Sequence, residues 1–120
     1  MAFQSNLQSY VAAAAIVRGD RLKFSAGAIT VEPAGATDAS VGTAKSDAAI
    51  GDVLQCVMHT PGHVVEVRAA GAFAVGATLY GAAAGEVDDA VNAGTDRFHA
   101  LQASTAADEV VSAFIPFVGA

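Results

Sequence analysis

The sequence has few of the residues that specialised small folds depend on. It contains one cysteine, Cys56, no tryptophan and three prolines among 120 residues. A single cysteine cannot form an intrachain disulfide, so we expect a chain made in the reducing cytoplasm. The apolar run at residues 11–17 is far shorter than the roughly 18 apolar residues of a membrane span, and no basic residue precedes it. The sequence therefore predicts neither a membrane anchor nor a secretory signal.

Basic residues are also scarce. Six Lys and Arg stand against 12 Asp and Glu, which gives a formal net charge of −6. Binding to nucleic acids or to anionic membranes needs a concentrated basic surface. The one local basic cluster, Arg18, Arg21 and Lys23, has Asp20 within it. We therefore expect neither a nucleic acid nor a membrane as a partner.

Bulky apolar residues are few relative to small ones. The chain has 29 alanines, whereas Val, Ile, Leu and Phe together number 30. Each alanine buries little apolar area, so the core of an isolated copy should be thin. Burial against other copies or another protein would offset this deficit. We therefore expect the protein to oligomerise.

Glycine and proline interrupt the chain at short, even intervals. The segments between them are brief and rich in β-branched residues, and no long segment shows helical periodicity. These features predict an all-β protein, a small β-sandwich or barrel of short strands with one or two short helical turns. The helical turns are expected where a serine precedes two alanines and an acid, after Ser46 and after Ser104, in two stretches that resemble each other.

Three β-hairpins follow from turn residues. They are predicted around Gly27, around Pro61 and Gly62, and at residues 82–85. Alternation along residues 64–69 places Val65 and Val67 on the core face. The stretch 110–118 is apolar on both faces, which predicts either a central strand or, because of Pro116, an edge strand covered by a neighbouring subunit.

The beginning of the chain differs from the rest. Residues 1–10 are largely polar, with Phe3, Leu7 and Tyr10 set among Gln, Ser and Asn, and such a segment cannot form a core alone. We interpret it as an extended N-terminal arm. The chain is accordingly divided into an arm with the first strand, residues 1–18, and a single β domain, residues 19–120.

Two groups of residues superficially suggest chemistry. Cys56, His59 and His63 have a zinc-like spacing, but strand alternation places the first two on opposite faces, so a buried thiol and two histidines beside an exposed turn are expected. Glu86, Asp88 and Asp89 lack the alternating oxygen ligands of a calcium loop, and are expected to be solvated. We therefore predict no catalytic, metal or cofactor site, and no enzyme.

Aromatic and apolar residues near both ends are the best interface candidates, because such side chains supply large contact areas at low entropic cost. They are Phe3, Leu7, Tyr10, Phe114, Pro116, Phe117 and Val118.

The overall pattern resembles the small capsid decoration (cement) proteins of tailed bacteriophages. The resemblance lies in residues 64–71, 75–80, 85–87, 100–103 and 106–115. It implies a compact β fold, homotrimers on the outer surface of the assembled head, and contacts with the major capsid protein that stabilise the shell. The alanine-rich residues 11–17 depart from the family pattern.

Two other functions remain open at this stage. One is a ligand- or glycan-binding β module such as an adhesin, although the chain has only two tyrosines and no tryptophan for stacking on sugars. The other is a small metal-dependent enzyme.

Overall fold

The computed structural model describes residues 7–25, 30–92 and 94–116. They form ten strands and one 3-10 turn, Ala83–Gly85. The strands are β1 (Leu7–Ala12), β2 (Arg21–Phe24), β3 (Thr30–Pro33), β4 (Gly42–Ala44), β5 (Val53–Met58), β6 (Val64–Arg68), β7 (Thr78–Gly81), β8 (Val87–Asp88), β9 (Arg97–Ala100) and β10 (Val110–Phe114). The prediction of an all-β fold is confirmed. Over these residues the structure has no helix long and apolar enough to cross a membrane.

The first five strands form a closed barrel in the order β1-β3-β2-β4-β5. Closure depends on β1, which pairs antiparallel with β5 and parallel with β3. Side chains from alternate positions of these strands fill the barrel, as expected for a small closed sheet. Its buried core consists of Ala12, Ile16, Leu22, Val31, Ala44, Ala48, Leu54 and Cys56.

The last five strands form a second sheet in the order β6-β10-β9-β7-β8. Its core comprises Val65, Val67, Ala69, Phe73, Leu79, Val87, Phe98, Ala100, Val111, Ala113 and Ile115. The predicted inward direction of Val65 and Val67 is confirmed. Since β10 lies between β6 and β9, the stretch 110–118 contains a central strand, and Pro116 lies beyond its end.

The two sheets are versions of one arrangement. Taken in chain order, β6 to β10 have the same neighbours as β1 to β5. An isolated antiparallel bridge precedes the second strand of each, between Ile16 and Ala48 in one and between Phe73 and Ser104 in the other. We call β1–β5 the first unit and β6–β10 the second unit. They differ in closure, because β6 and β8 are joined only by a single parallel bridge.

The predicted helical turns after Ser46 and Ser104 are wrong. Ala48 and Ser104 instead have extended backbones, each exchanging two backbone hydrogen bonds of 2.9–3.0 Å with Ile16 and Phe73, respectively. A helical turn would remove the amides of Ala48 and Ser104 from these two bridges.

The hairpin predicted around Pro61 and Gly62 is only partly correct. The turn forms, with Gly62 at φ 88° and the His63 amide donating to the Thr60 carbonyl. However, β5 pairs with β1 and β4, whereas β6 pairs with β10. The turn therefore carries the chain from one unit to the other. By contrast, β7 and β8 pair across residues 82–86 as predicted.

The predicted arm is corrected for residues 7–10. These residues begin β1, where Leu7 lies opposite Val57 and Tyr10 opposite Leu54. Pairing within the barrel satisfies their backbone groups without a neighbouring molecule. Residues 1–6 lie outside the described residues, as do residues 26–29 of the hairpin predicted at Gly27. The division into residues 1–18 and 19–120 stays a prediction.

Candidate functional site

The residues with zinc-like spacing do not converge. Cys56 points into the barrel core, while His63 is exposed at the turn between the units. His59 binds two hydroxyl groups instead of a sulfur or carboxylate. Over the described part of the chain, no three His, Cys, Asp or Glu side chains are grouped so that they could hold a metal ion.

Burial makes Cys56 a poor nucleophile. It raises the pKa of the thiol to about 11, so the reactive thiolate is scarce near neutrality. We expect an aromatic disulfide reagent to modify Cys56 slowly at about pH 8, near the ordinary thiol pKa, and rapidly once denaturant unfolds the chain. Absorbance of the released chromophore measures both rates. Equal rates with and without denaturant would contradict the buried position.

His59 is held in a hydrogen-bonded chain of polar side chains. The hydroxyl of Ser40 lies 3.1 Å from Nδ1, and that of Thr43 lies 2.5 Å from Nε2. Ser40 also donates to Asp96 at 2.7 Å. Burial lowers the pKa of His59 to about 4, with Asp96 opposing the shift and Arg21 adding to it. His59 does flank the turn at residues 60–63, as expected, but its ring is bound by Ser40 and Thr43.

The combination of Ser40, His59 and Asp96 does not form a catalytic triad. In a triad the carboxylate binds the imidazole, which in turn binds the nucleophile. Here the serine hydroxyl lies between Asp96 and His59, and Thr43 occupies the other ring nitrogen. This order holds a neutral ring in place, and Asp96 does not bind the imidazole directly as the carboxylate of a triad would.

Arg21 is the centre of the contact between the two units. Its side chain is 0% exposed and forms a 2.5 Å ion pair with Asp96. The guanidinium also donates to the carbonyl oxygens of Gly35 and Ala82 at 2.8 Å, and to that of Glu86 at 2.9 Å. A buried guanidinium requires such complete pairing because removing its charge from water costs several kcal/mol. This cost is about as large as the attraction within the ion pair. These bonds join the loop after β3 to the β7–β8 hairpin.

Gly81 makes room for this guanidinium. A Cβ atom at position 81 would lie only 2.8 Å from the central carbon of the Arg21 guanidinium and 2.8 Å from the Ala36 carbonyl oxygen. Any side chain there would displace the buried charge. The glycine in β7 is thus explained by the close approach of the first unit.

A second arginine, Arg68, forms another part of the contact between the two units. Arg68 pairs with Asp20 and Glu86 at 2.8 Å and with Asp108 at 2.7 Å. Burial raises the pKa of Asp20, although the Val17 amide and Arg68 both favour its charged form. Glu86 therefore belongs to the contact between units, and the prediction that it is simply solvated is wrong.

The turn at residues 17–20 also binds the edge of β6 directly. The Arg68 amide donates to the Gly19 carbonyl at 3.0 Å. Gly19 has φ 90°, and a Cβ there would lie 3.0 Å from the Arg68 nitrogen. The positive φ and the close approach both require glycine. In the second unit the corresponding glycine, Gly76, also has positive φ, but no atom lies close to its Cβ position.

Of the predicted interface residues, the structure describes four. Leu7, Tyr10, Phe114 and Pro116 are all half-buried. Tyr10 packs edge-to-face against Phe24 with ring centroids 5.4 Å apart. Phe3, Phe117 and Val118 lie outside the described residues.

Sequence reasoning missed several exposed aliphatic residues because it favoured aromatic ones. More than half of each of these side chains is accessible: Ile50, Val53, Val64, Val75 and Val91. All of them except Val64 stand beside Gly, Asp or Asn, a signal that is typical of many turns. Exposed aliphatic residues of this size are candidates for contact with other proteins.

A shallow groove of about 220 Å³ lies between the units. It is lined by Thr43, Ala44, Lys45, Val57, Val64, Val65 and Glu66. Pockets for small ligands typically measure about 300–1,000 Å³. The groove is therefore better suited to a few side chains of another polypeptide than to a small molecule.

These observations define a tandem all-β protein whose two units are held together by buried ion pairs. Its fold is similar to the crystal structure of the head fiber gp8.5 N base in bacteriophage phi29. The TM-score is 0.76 at 20% sequence identity, over 91% of this chain and 92% of that chain. The similarity establishes a shared fold. No protein-family model and no curated protein matches the sequence.

Proposed function

We propose that the protein is a structural component of a bacteriophage head. The observation that carries this proposal is the shared fold with the phi29 head fiber base over nearly the full length of both chains. The sequence resemblance to capsid decoration proteins supports the same conclusion independently. The buried polar groups around His59 and Arg21 fit a structural role, because they bind one another and the backbone.

In finer detail, we propose a decoration or cement protein on the outer surface of the head. It would be synthesised in the cytoplasm of the host and bind as a homotrimer across neighbouring major capsid subunits. Because such a protein binds the assembled shell and not free subunits, it stabilises the shell by mass action. The half-buried Leu7, Tyr10, Phe114 and Pro116 are the proposed contact residues, together with Phe3, Phe117 and Val118.

The test uses purified protein and expanded heads, lacking this protein, of the phage that encodes the chain. We expect the protein to sediment with the heads and, at saturation, to raise their disruption temperature, since each bound copy adds buried area between subunits. The protein alone must stay in the supernatant. An unchanged disruption temperature at saturation would contradict the cement role, and a monomeric native mass would contradict the trimer.

A further inference from the structure

The edge of β6 facing away from β10 is only partly covered. The Ala69 amide donates to the Glu109 carbonyl on the β10 side, whereas the Arg68 amide donates to Gly19 on the opposite side. Amides alternate in direction along a strand. Those of Val64 and Glu66 therefore point to the same side as that of Arg68, away from β10.

This edge is available for pairing at its first half. Within the described ranges, the structure gives the amides of Val64 and Glu66 no hydrogen-bond acceptor. The turn at residues 17–20 covers the strand only at Arg68. An exposed strand edge with unpaired amides and carbonyls is a template for another extended segment.

The groove beside this edge supplies side-chain contacts. Val57 and Val64 form apolar parts of its wall, and Val64 is 55% exposed. Lys45 is exposed and lines the groove from the first unit, just after β4. A segment that pairs with β6 would thus place alternate side chains between the two units.

Lys45 differs from the other cations. Over the described residues it is the one basic side chain without an acidic or aromatic partner in the structure. The other five contact a carboxylate or a ring: Arg18 with Glu66, Arg21 with Asp96, Lys23 with Asp38, Arg68 with Asp20, and Arg97 with Tyr80. In a chain of net charge −6, an unpaired ammonium beside an open strand edge favours an acidic group on the incoming segment.

We propose that this edge and groove bind an extended segment of a partner protein by β-strand addition. The segment pairs with residues 64–66 and presents a carboxylate to Lys45. This inference rests on the proposed function, in which the segment belongs to a capsid subunit. A second copy of this chain is the alternative occupant, which the self-association measurement below distinguishes.

The first test removes one outward amide. Because the Val64 amide points away from β10, Val64→Pro breaks no bond of the β6–β10 pair, and proline is tolerated at the first residue of an edge strand. We expect its affinity for heads to fall about tenfold through loss of a backbone hydrogen bond. Val64→Thr keeps the amide and the branched shape, and should bind like the wild type.

The second test does not depend on whether the proline variant folds. Lys45→Glu should weaken head binding about tenfold by reversing the charge, whereas Lys45→Arg should preserve it. In wild-type protein, hydrogen exchange at the Glu66 amide should be fast when free and slow when bound to heads. Both measurements use the full chain.

The outcomes separate this inference from the function on which it rests. If V64P and K45E bind heads as tightly as the wild type, and the Glu66 amide still exchanges fast in the bound protein, the β-strand addition is overturned. The virion role then remains intact. Failure of the wild-type protein to bind heads overturns both. Self-association that is lost in V64P would identify a second copy as the occupant and likewise overturn the inference.

Discussion

Replacement of Arg21 by alanine is expected to lower the free energy of unfolding by about 3–5 kcal/mol. The guanidinium is fully buried, and its removal leaves the Asp96 carboxylate without its cation and three backbone carbonyl oxygens without this donor. Thermal unfolding should shift downward by on the order of 10–20 °C. Urea denaturation followed by circular dichroism measures the free energy. Arg21→Lys should recover only part of the loss, because an ammonium cannot reach acceptors in so many directions.

The matched control is Arg18→Ala. Arg18 also forms a two-point ion pair between the units, with Glu66, but both side chains are about half exposed. Exposed ion pairs contribute little to stability because water screens both charges. Similar losses in the two variants would mean that the buried contact is not what stabilises the junction.

Acidification is expected to destabilise the protein through His59. The pKa of about 4 in the folded state lies below the ordinary value of 6.5, so the unfolded chain binds the proton more readily. The resulting stabilisation, about 3 kcal/mol, is fully present above pH 6.5 and is lost as the pH falls towards 4. Urea denaturation at several pH values measures this dependence, and NMR titration of the ring reports its pKa directly.

Carboxylates also titrate near pH 4, so the comparison with a variant is essential. His59→Gln retains a neutral polar side chain beside Ser40 and Thr43 but has no proton to gain. Its stability should change less than that of the wild type as the pH falls from 6.5 towards 4. Parallel curves for the two proteins would show that His59 is accessible to protons in the folded state.

Much of the strand pattern could be predicted from the sequence because its causes are local. Pro61 and Gly62 specify a turn whatever the strands beside them pair with. The alternation of Val65 and Val67 with Val64 and Glu66 fixes which side is buried, since neighbouring side chains point to opposite faces of a sheet.

The pairing of the strands could not be predicted in the same way. Whether β6 turns back on β5 or crosses to β10 depends on contacts between residues far apart in the chain. The resemblance between the stretches around Ser46 and Ser104 reflects the repeated unit, but alanine and serine there favour a helical turn only locally. Pairing with Ile16 and Phe73 outweighed that preference.

The contact between the units was the least predictable feature. Arg21 lies in a basic cluster that resembles a solvated surface, and its partner Asp96 is distant in sequence. Nothing local indicates that a guanidinium will be enclosed by backbone carbonyls. The absence of a side chain at Gly81 is the one local trace of this approach in β7, and glycine has many other uses in strands.

The incomplete closure of the second unit leaves a strand edge to which the first unit can bind, so that two copies of one motif form a single structure. If β6 and β8 were fully paired, the Arg68 amide would bond within the second unit and the loop carrying Gly19 would lose its place on this strand edge. The unpaired edge of β6 is where the first unit binds. More extensive pairing between β6 and β8 would make the second unit more stable by itself, but the two units would be held less rigidly together.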